Sequence, residues 1–586
     1  MVQTVSIIPG KDYTVHAGDS LWAIAASAYG SGAEWPKIYQ ANMQTIGKNP
    51  NLIFPGQVLH VPPTSVPTPT PVPTPTPIPA QPDLPLRTST EIQGDILAGF
   101  NKDYRLYLFL RFPDQYHGRA WLKELMPYIA DTKDVAAFNT LFSLARHAGG
   151  GKDPVNLKAT WVNVGFTIDG LKLLLKTDPS ASLAAQGFTS FVAGPEASAA
   201  SINDDTGPSD PTHWVVGRKD QPIHALLNIQ ADDPNDLAVE VQKLTMLATQ
   251  YGLTIVYEQS GATLPGDLRG HEHFGYKDGI SQPGVKGFDP ADLSATKVDP
   301  TATLGYVQGH PGTEIIQPGE FIVGQPVEPD FGQKQFVPPP DLKWMLNGSF
   351  QVFRRLKQDV PGFNEQEQEV LNPLPPDDPL RDRIGALLVG RWKSGTPVDL
   401  SPDTDKGLTG DTEINNFDFL ARDVDTIHVD DDREGLRCPH FSHIRKVYPR
   451  QQDFAFNRAR RIIRRGVPFG NQYDPERGEG FDAGAERGLV FVAYMSSIEA
   501  KFEFLMRRWV DEPNFPVPIF EHGAETVTGP DPIIGDAAVH PSPITLKHSG
   551  GQDLQVDFLR KVQTTGTLYA FTPAISVLKE LADGTL

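Results

Sequence analysis

The sequence contains few of the residues from which several common kinds of site are built. Its 586 residues include a single cysteine, Cys438, which excludes an intramolecular disulfide, a cysteine-based zinc site and an iron–sulfur cluster. No stretch approaches the roughly 18 apolar residues of a membrane-spanning helix, and the first residues lack the charged and apolar regions of a secretory signal peptide. We therefore expect no membrane span. The compartment stays unknown, with the cytoplasm as the default and a cell-wall or extracellular association as the alternative.

Positive charge is also scarce. Lysine and arginine number 52 against 72 aspartates and glutamates, a formal net charge of −20. This balance argues against nucleic acid or an anionic membrane as the main partner. The length exceeds what one hydrophobic core supports, so two or more domains are predicted.

Proline is concentrated at residues 63–83, within the run PPTSVPTPTPVPTPTPIPAQP. Repeated prolines remove amide donors and fix φ, so this segment should be extended polyproline II that joins no core. At about 3.1 Å per residue it could span roughly 60 Å. We interpret it as a spacer, with a ligand for a proline-reading domain as the alternative.

Residues 11–62 read as a separate small βααβ unit. A strand at Tyr13–His16 leads to Ser20 as a helix N-cap, and Gly30 ends that first helix. A second helix and a strand at Val58–Val61 complete the pattern. The run YTVHAGDSLWAIAASAYG…WPKIYQAN…LIFPGQVLHVP resembles a LysM module. The resemblance implies binding to peptidoglycan or a chitin-like glycan, although such modules also serve as attachment pieces in protein assemblies.

Residues 84–586 mix short apolar strands with helical patterns and show no regular βαβ alternation. Strands are predicted at 107–112, 224–229 and 489–494, and helices at 169–176, 237–250 and 498–509. This mixture predicts an α+β fold with antiparallel sheets. About 500 residues is large for one such unit, so we expect two sheet-and-helix halves.

The first chemical motif is RCPHFSHIRKVYPR at 437–450. One thiol and two histidines, His440 and His443, match a zinc site poorly. An imidazole followed by three cations suits haem better, because the iron takes the imidazole and the propionates pair with cations. Taken alone, the run would be a solvated basic patch.

Two further motifs point to the same kind of site. In EHFGYKDGISQP, two glycines around Asp278 could form a tight loop that presents one carboxylate to a cavity, although Asp-Gly is more often a simple turn. In RRIIRRGVPFG, the alternation of an extended segment could turn one guanidinium inward. Nucleic-acid binding is the alternative for this run, and the overall charge argues against it.

Together the three motifs resemble those of the dye-decolorizing peroxidases. The likeness continues through EIQGDILAGFNKD, NGSFQVFRRLKQDV, GRWKSGTPV and GLVFVAYMSSIEAKFEF, in the order expected across 84–586. The resemblance implies two ferredoxin-like antiparallel-sheet halves, approximately 84–345 and 346–586. It also implies that haem b is bound mainly by the second half.

The resemblance also implies roles for individual residues. His443 corresponds to the axial ligand of the haem iron, in preference to His440. Asp278 corresponds to the distal acid–base, and Arg464 rather than Arg465 to the distal arginine. Three further residues line the implied haem pocket, the first beside a propionate and the others narrowing the distal side: Arg450, Leu489 and Phe491.

Two expectations stay open at this point. Trp509 lies where some members of the family place a radical-forming surface tryptophan, and a buried core position is the alternative. The carboxylate expected to accept the second ring N–H of His443 could be any of four residues: Glu503, Glu521, Asp531 and Asp553.

The implied function is a haem peroxidase that reduces hydrogen peroxide and oxidises bulky aromatic or dye-like donors, tethered by its LysM module. One alternative is a glycan-binding or assembly protein that carries haem without peroxidase turnover. Another is a peptidoglycan hydrolase, for which the large domain offers no zinc ligand set and no catalytic cysteine context.

Overall fold

The computed structural model divides the chain into two compact units, 1–81 and 82–586, each described by itself below. In the ranges that it describes, no helix is both long enough and apolar enough to cross a bilayer. The predicted linker at 63–83 lies outside these ranges except for Pro63. The residues described are 7–16, 19–47, 50, 53–63, 84–202, 207–277, 279–291, 309, 312–329, 334–410, 414–424, 427–451, 454–477, 486–516, 529–535, 544–546 and 553–586.

The strands of the described residues are numbered in chain order. They are β1 Lys11–Thr14, β2 Val58–Val61, β3 Tyr104–Arg111, β4 Thr160–Phe166, β5 Ala225–Ala231, β6 Thr254–Ala262, β7 Gly284–Val285, β8 Ile315–Ile316, β9 Ser349–Gln358, β10 Arg422–Val424, β11 Ile427–Val429, β12 Ile463–Arg464, β13 Val467–Phe469, β14 Gly488–Met495, β15 Ile544–Leu546, β16 Leu554–Val556 and β17 Val562–Thr572.

The helices are mostly short, and two consecutive ones, Ile498–Phe502 and Leu505–Val510, are π-helical. The α-helices are Leu21–Tyr29, Trp35–Ala41, Met43–Ile46, Gly94–Leu97, Gln115–Leu125, Thr132–Ala148, Ile168–Leu174, Ser180–Ala185, Thr189–Ala193, Pro195–Ser198, Pro234–Gln250, Val360–Leu371, Ile384–Val389, His443–Val447, Phe454–Arg458 and Ile575–Asp583.

The N-terminal unit has the predicted strand, two helices and closing strand, with one further short α-helix, Met43–Ile46, before the last strand. Strands β1 and β2 pair antiparallel, and Ser20 caps the first helix by accepting a hydrogen bond from the backbone N–H of Ala23. Gly30 ends that helix at φ 77°, a left-handed conformation that favours glycine. Most apolar residues of this unit form its core, whereas Trp22 is 58% exposed.

The second unit is built on one antiparallel sheet whose spatial strand order differs from the chain order. In the described residues the strand order is β12-β14-β9-β17-β4-β5-β3-β6, with β13 also paired to β14. Strands β3 to β6 lie in the order β4-β5-β3-β6, and the C-terminal strands repeat this order as β12-β14-β9-β17. Each set is therefore a ferredoxin-like half, as predicted, and the halves meet through the pair Phe571–Phe166.

The sheet curls until its two end strands meet. A Cβ at Gly261 in β6 would lie 2.5 Å from Val467 Cγ1 and 3.1 Å from the Pro468 carbonyl in β13. The two halves therefore form a barrel that is held at one junction by ladder pairing and at the other by close backbone approach.

Alternate residues of the strands face opposite sides of the barrel wall. In β3, Tyr107 and Phe109 point inward to a core that both halves share, and both rings contact Phe353 of β9 at centroid distances of 5.4 and 4.9 Å. Leu108 and Leu110 point outward, to the core beneath the covering helices. Three predicted strands and three predicted helices are present with shifted ends, the last helix being π-helical.

Candidate functional site

An apolar cavity lies beside the barrel wall and is lined mostly by residues of the C-terminal half. Strand β9 contributes Arg354 and Leu356 to its lining, and β14 contributes Leu489 and Phe491. Loops and helices contribute the rest. Period-2 alternation explains the strand contribution, because Val490 and Val492 of β14 point instead into the barrel core.

His443 enters this cavity from the first position of the helix His443–Val447. Its Nδ1 lies 2.7 Å from Asp531 Oδ2. Asp531 is completely buried, and its Oδ1 accepts hydrogen bonds from the backbone N–H groups of Ile533 and Ile534. The ring is thus fixed in the tautomer that carries its proton on Nδ1, which leaves the Nε2 lone pair available to coordinate a metal.

The structure separates His443 from the other two candidate metal ligands of its motif, His440 and Cys438. His440 does not line the cavity, and its Nε2 lies 2.8 Å from the Arg433 carbonyl. Burial lowers the pKa of His440 to about 3. Cys438 is buried, and no cluster of three or more His, Cys, Asp or Glu side chains suited to a metal ion is found in the described ranges.

The expectation that the cations after His443 form one group facing the cofactor is wrong for two of the three. Arg445 pairs with buried Asp432 at 3.0 Å, and Lys446 donates to the Glu512 carbonyl at 2.6 Å. Only Arg450 lines the cavity. Arg445 and Lys446 belong to the helix His443–Val447, whereas Arg450 lies beyond its end, a difference that the sequence spacing alone did not resolve.

Arg450 belongs to a buried cluster of cations. It donates to Ser281 Oγ at 2.9 Å and to Asn415 Oδ1 at 2.7 Å, while Arg391 donates to the same Ser281 hydroxyl at 3.0 Å. Burial, followed by the neighbouring charges of Arg450 and Arg464, lowers the pKa of Arg391 to about 9. A bound anion would relieve this repulsion.

The two arginines of the RRGVP run differ in direction. Arg464 lines the cavity and donates to the Ser281 carbonyl at 2.7 Å. Arg465 is turned to the opposite face of the strand, where it donates to the carbonyls of Asp95 and Leu97 at 2.9 Å. Strand alternation thus separates the paired residues.

Asp278 lies outside the described residues, but the loop on either side of it is defined. Gly275 and Gly279 have φ 91° and 77°, conformations that favour glycine. Glu272 fixes the loop by accepting hydrogen bonds from the backbone N–H groups of Phe274 and Tyr276 at 2.8 and 2.9 Å. Lys277, Gly279 and Ile280 line the cavity.

Trp509 is a core residue. Its side chain is 1% exposed and stacks on Phe515 at a centroid distance of 5.1 Å. Of the two positions that the sequence left open for Trp509, the structure shows the buried core position and not the surface. The π-helical turn directs Met506 and Val510 to the cavity and carries Trp509 away from it.

Known families match much of the chain. The family described as LysM domain matches 13–62, DyP dimeric alpha+beta barrel domain matches 91–265, and Dyp-type peroxidase, C-terminal, matches 388–517. A dye-decolorizing peroxidase of Mycetinis scorodonius is 32% identical, over 84% of this chain and 86% of the relative. A multifunctional dye peroxidase of Amycolatopsis sp. is 28% identical, over 84% and 95%. A solved ancestral D-type dye-decolorizing peroxidase superposes with a TM-score of 0.65 at 32% identity, over 86% of this chain and all of that one.

The chain belongs to the dye-decolorizing peroxidase family. It is a peroxidase with a LysM domain at its N-terminus, and the alternative of a haem carrier without turnover is not favoured. Members of the family are haem enzymes.

The cavity fits a haem. One imidazole with an oriented ring offers a ligand to iron, and a cluster of guanidiniums offers partners to two propionates. The remaining lining is suited to the porphyrin plane, since it is mostly apolar: Ile444, Val447, Leu489, Phe491, Phe502, Leu505, Met506, Val510, Ile533 and Ile534.

Sequence reasoning missed two contributors to this site. Arg391 and Ser281 both join the cation cluster. Ser281 stands three residues after Asp278, inside a motif already singled out, so its position was a usable signal. Arg391 follows Gly390 in the GRWKSGTPV run and lies 59 residues before Arg450 in the chain. Nothing in this spacing indicates that the two arginines line the same cavity.

Proposed function

We propose that this member of the family binds haem b through His443, reduces hydrogen peroxide and oxidises bulky aromatic donors. The observation that carries the proposal is the contact between His443 and buried Asp531 in a cavity lined also by Arg464 and Arg450. A strong carboxylate acceptor on Nδ1 raises the basicity of the imidazole and its electron supply to iron. The cofactor, when bound, supplies the redox chemistry by which peroxide is reduced.

Asp278 and Arg464 act on peroxide. Ionised Asp278 takes the proton from one peroxide oxygen and returns it to the leaving oxygen, acting as base and then as acid. Arg464 stabilises the negative charge that develops as the O–O bond breaks. Because a carboxylate base stays ionised to about pH 4, we expect an acid optimum with dye-like donors.

Three cavity residues position the cofactor and restrict access. Arg450, together with Arg391, would pair with a propionate of the bound cofactor. Leu489 and Phe491 narrow the distal side to the size of peroxide, so that bulky donors are oxidised from outside the cavity.

The domains have separate roles in this proposal. Residues 11–62 bind peptidoglycan or a chitin-like glycan, 63–83 space this module from the catalytic domain, and 84–586 carry the peroxidase, divided near 345. The glycan module associates the enzyme with a cell wall or matrix.

The test is peroxide reactivity of the haem-loaded protein. A Soret band after addition of haem, and a rapid change of that band on mixing with peroxide, are the expected results. Asp278→Asn should slow the peroxide reaction by about 10²–10⁴-fold, since proton transfer is lost.

Asp267→Asn, an exposed substitution nearby, is the control and should react at the parent rate. A protein without a Soret band would contradict the haem site. An Asp278→Asn variant that reacts as fast as the parent would contradict the role of Asp278.

A further inference from the structure

A second cavity lies against the outer side of the Asp278 loop. Its lining includes Tyr276, Glu367, Trp392 and Lys393. Lys393 is exposed at its rim, whereas Trp392 is 8% exposed and Tyr276 4%. The cavity therefore opens to solvent, with an aromatic inner wall.

Tyr276 lines both this outer cavity and the cofactor cavity. Its backbone N–H donates to Glu272 Oε1, and its carbonyl accepts from the Glu272 N–H, both at 2.9 Å. One fixed phenol ring thus separates the two spaces. An aromatic ring in this position shortens the path for an electron between a donor outside and a cofactor inside.

The Tyr276 hydroxyl has a proton acceptor. It donates to Glu367 Oε1 at 3.4 Å. A Cβ at Gly385 would overlap both the Tyr276 oxygen and Glu367 Oε1, so the missing side chain of this glycine makes the contact possible. Loss of an electron from a phenol requires loss of its proton, and a carboxylate at this position can take it.

The outer cavity suits a phenol. It offers Trp392 for ring contact and Lys393 for a hydroxyl or phenolate. The ammonium group of Lys393 lies 5.8 Å from the Tyr276 ring centroid, so the cation and the ring line the same cavity side by side.

We propose that the outer cavity binds a phenolic electron donor and that Tyr276 carries its electrons to the cofactor, with Glu367 holding the proton. Tyr276 gives one electron to the peroxide-oxidised cofactor and its hydroxyl proton to Glu367. The tyrosyl radical then takes one electron from the donor and recovers the proton from Glu367, while the donor's own proton leaves to solvent. Two such cycles balance one peroxide: two donor phenols become two phenoxyl radicals and two waters form.

This inference rests on the proposed peroxidase function, so the experiment tests the function and the relay with two different measurements. The haem-loaded protein is mixed with one equivalent of peroxide, and the Soret change is recorded beside a freeze-quench EPR spectrum. A parent protein without a Soret change contradicts the proposed function. A parent that reacts and yields a tyrosyl signal absent from Tyr276→Phe supports the relay.

Donor oxidation and donor binding provide two more readouts. Guaiacol turnover should fall at least tenfold in Tyr276→Phe and in Glu367→Gln, which removes the proton acceptor without changing side-chain size. Tyr257→Phe, on β6 and outside both cavities, is the control and should keep the parent's turnover and EPR signal. Without peroxide, saturation-transfer NMR should detect guaiacol on the parent and not on Gly385→Leu, whose side chain fills the space beside Tyr276.

A Tyr276→Phe protein that keeps both the radical signal and guaiacol turnover overturns the relay. Should Gly385→Leu fail to fold, guaiacol contact is mapped instead on the parent with ring-labelled tryptophan. Absence of contact at Trp392 then overturns the donor site.

Discussion

His443 and Asp531 are 88 residues apart in the chain, yet one hydrogen bond joins them. Four carboxylates were candidates from the sequence. The choice depends on the anchoring of the segment 529–535 to the π-helical turn, where the Asp531 N–H donates to the Val510 carbonyl at 2.9 Å. That contact is tertiary, so residue spacing could not identify it. Glu503 instead accepts from Ser190 and Tyr569, and Glu521 lies outside the described residues.

Asp531→Asn should lower haem affinity by about 10–100-fold, because a neutral acceptor makes the imidazole less basic. The measurement is a competition titration followed at the Soret band. Asp553→Asn is the matched control, since Asp553 is exposed. Equal affinity in the two variants would show that Asp531 does not tune the ligand.

At the scale of elements, His273 joins the loop that carries Asp278 to β13, the strand that follows Arg464 in the chain. Its Nε2 lies 2.9 Å from the Phe469 carbonyl of β13, and burial lowers its pKa from 6.5 to about 4. Between these two pH values His273 is therefore neutral in the folded protein and protonated in the unfolded chain.

Between about pH 6.5 and pH 4 the unfolded state binds more protons at His273, so the free energy of unfolding falls as the pH falls. The largest loss is about 3 kcal/mol. His273→Gln can keep the hydrogen bond and cannot titrate, so its stability should depend less on pH across this window. Urea unfolding at pH 4.5 and pH 7 measures the difference. Equal pH dependence in parent and variant would contradict the assignment.

Element type was largely predictable, and element ends were not. Short apolar runs located β3, β5 and β14, because both faces of each strand are largely buried. The segment 498–509 was predicted as a helix, but its apolar spacing does not distinguish an α-helix from π-turns, which differ in hydrogen bonding and not in composition. The direction of Trp509 follows from that difference.

At the scale of the whole molecule, the division into a small N-terminal unit and a large α+β unit was readable from composition, because the proline-rich run admits no core. The repeat of one strand order in both halves was predicted only through the family resemblance. Its closure into a barrel depends on contacts such as Gly261 with β13, which no local pattern encodes.

Because the chain forms two compact units, we expect their functions to be separable. A chain truncated to 82–586 should keep peroxide and donor turnover within about twofold, because the cavity lies wholly in that unit, and should lose retention on insoluble peptidoglycan or chitin. Co-sedimentation and steady-state assays of the full and truncated chains measure both properties. Failure of the full chain to sediment with either glycan would contradict the glycan role and favour attachment within a protein assembly.

The junction at which β6 approaches β13 and closes the barrel has a consequence for synthesis on the ribosome. Strand β6 ends at Ala262 and β13 begins at Val467, so some 200 residues must be translated between them. At about 5–20 residues per second this takes roughly 10–40 s. During that time the nascent N-terminal half presents an uncovered strand edge, and chaperones that shield such edges should bind it then and leave once β13 emerges.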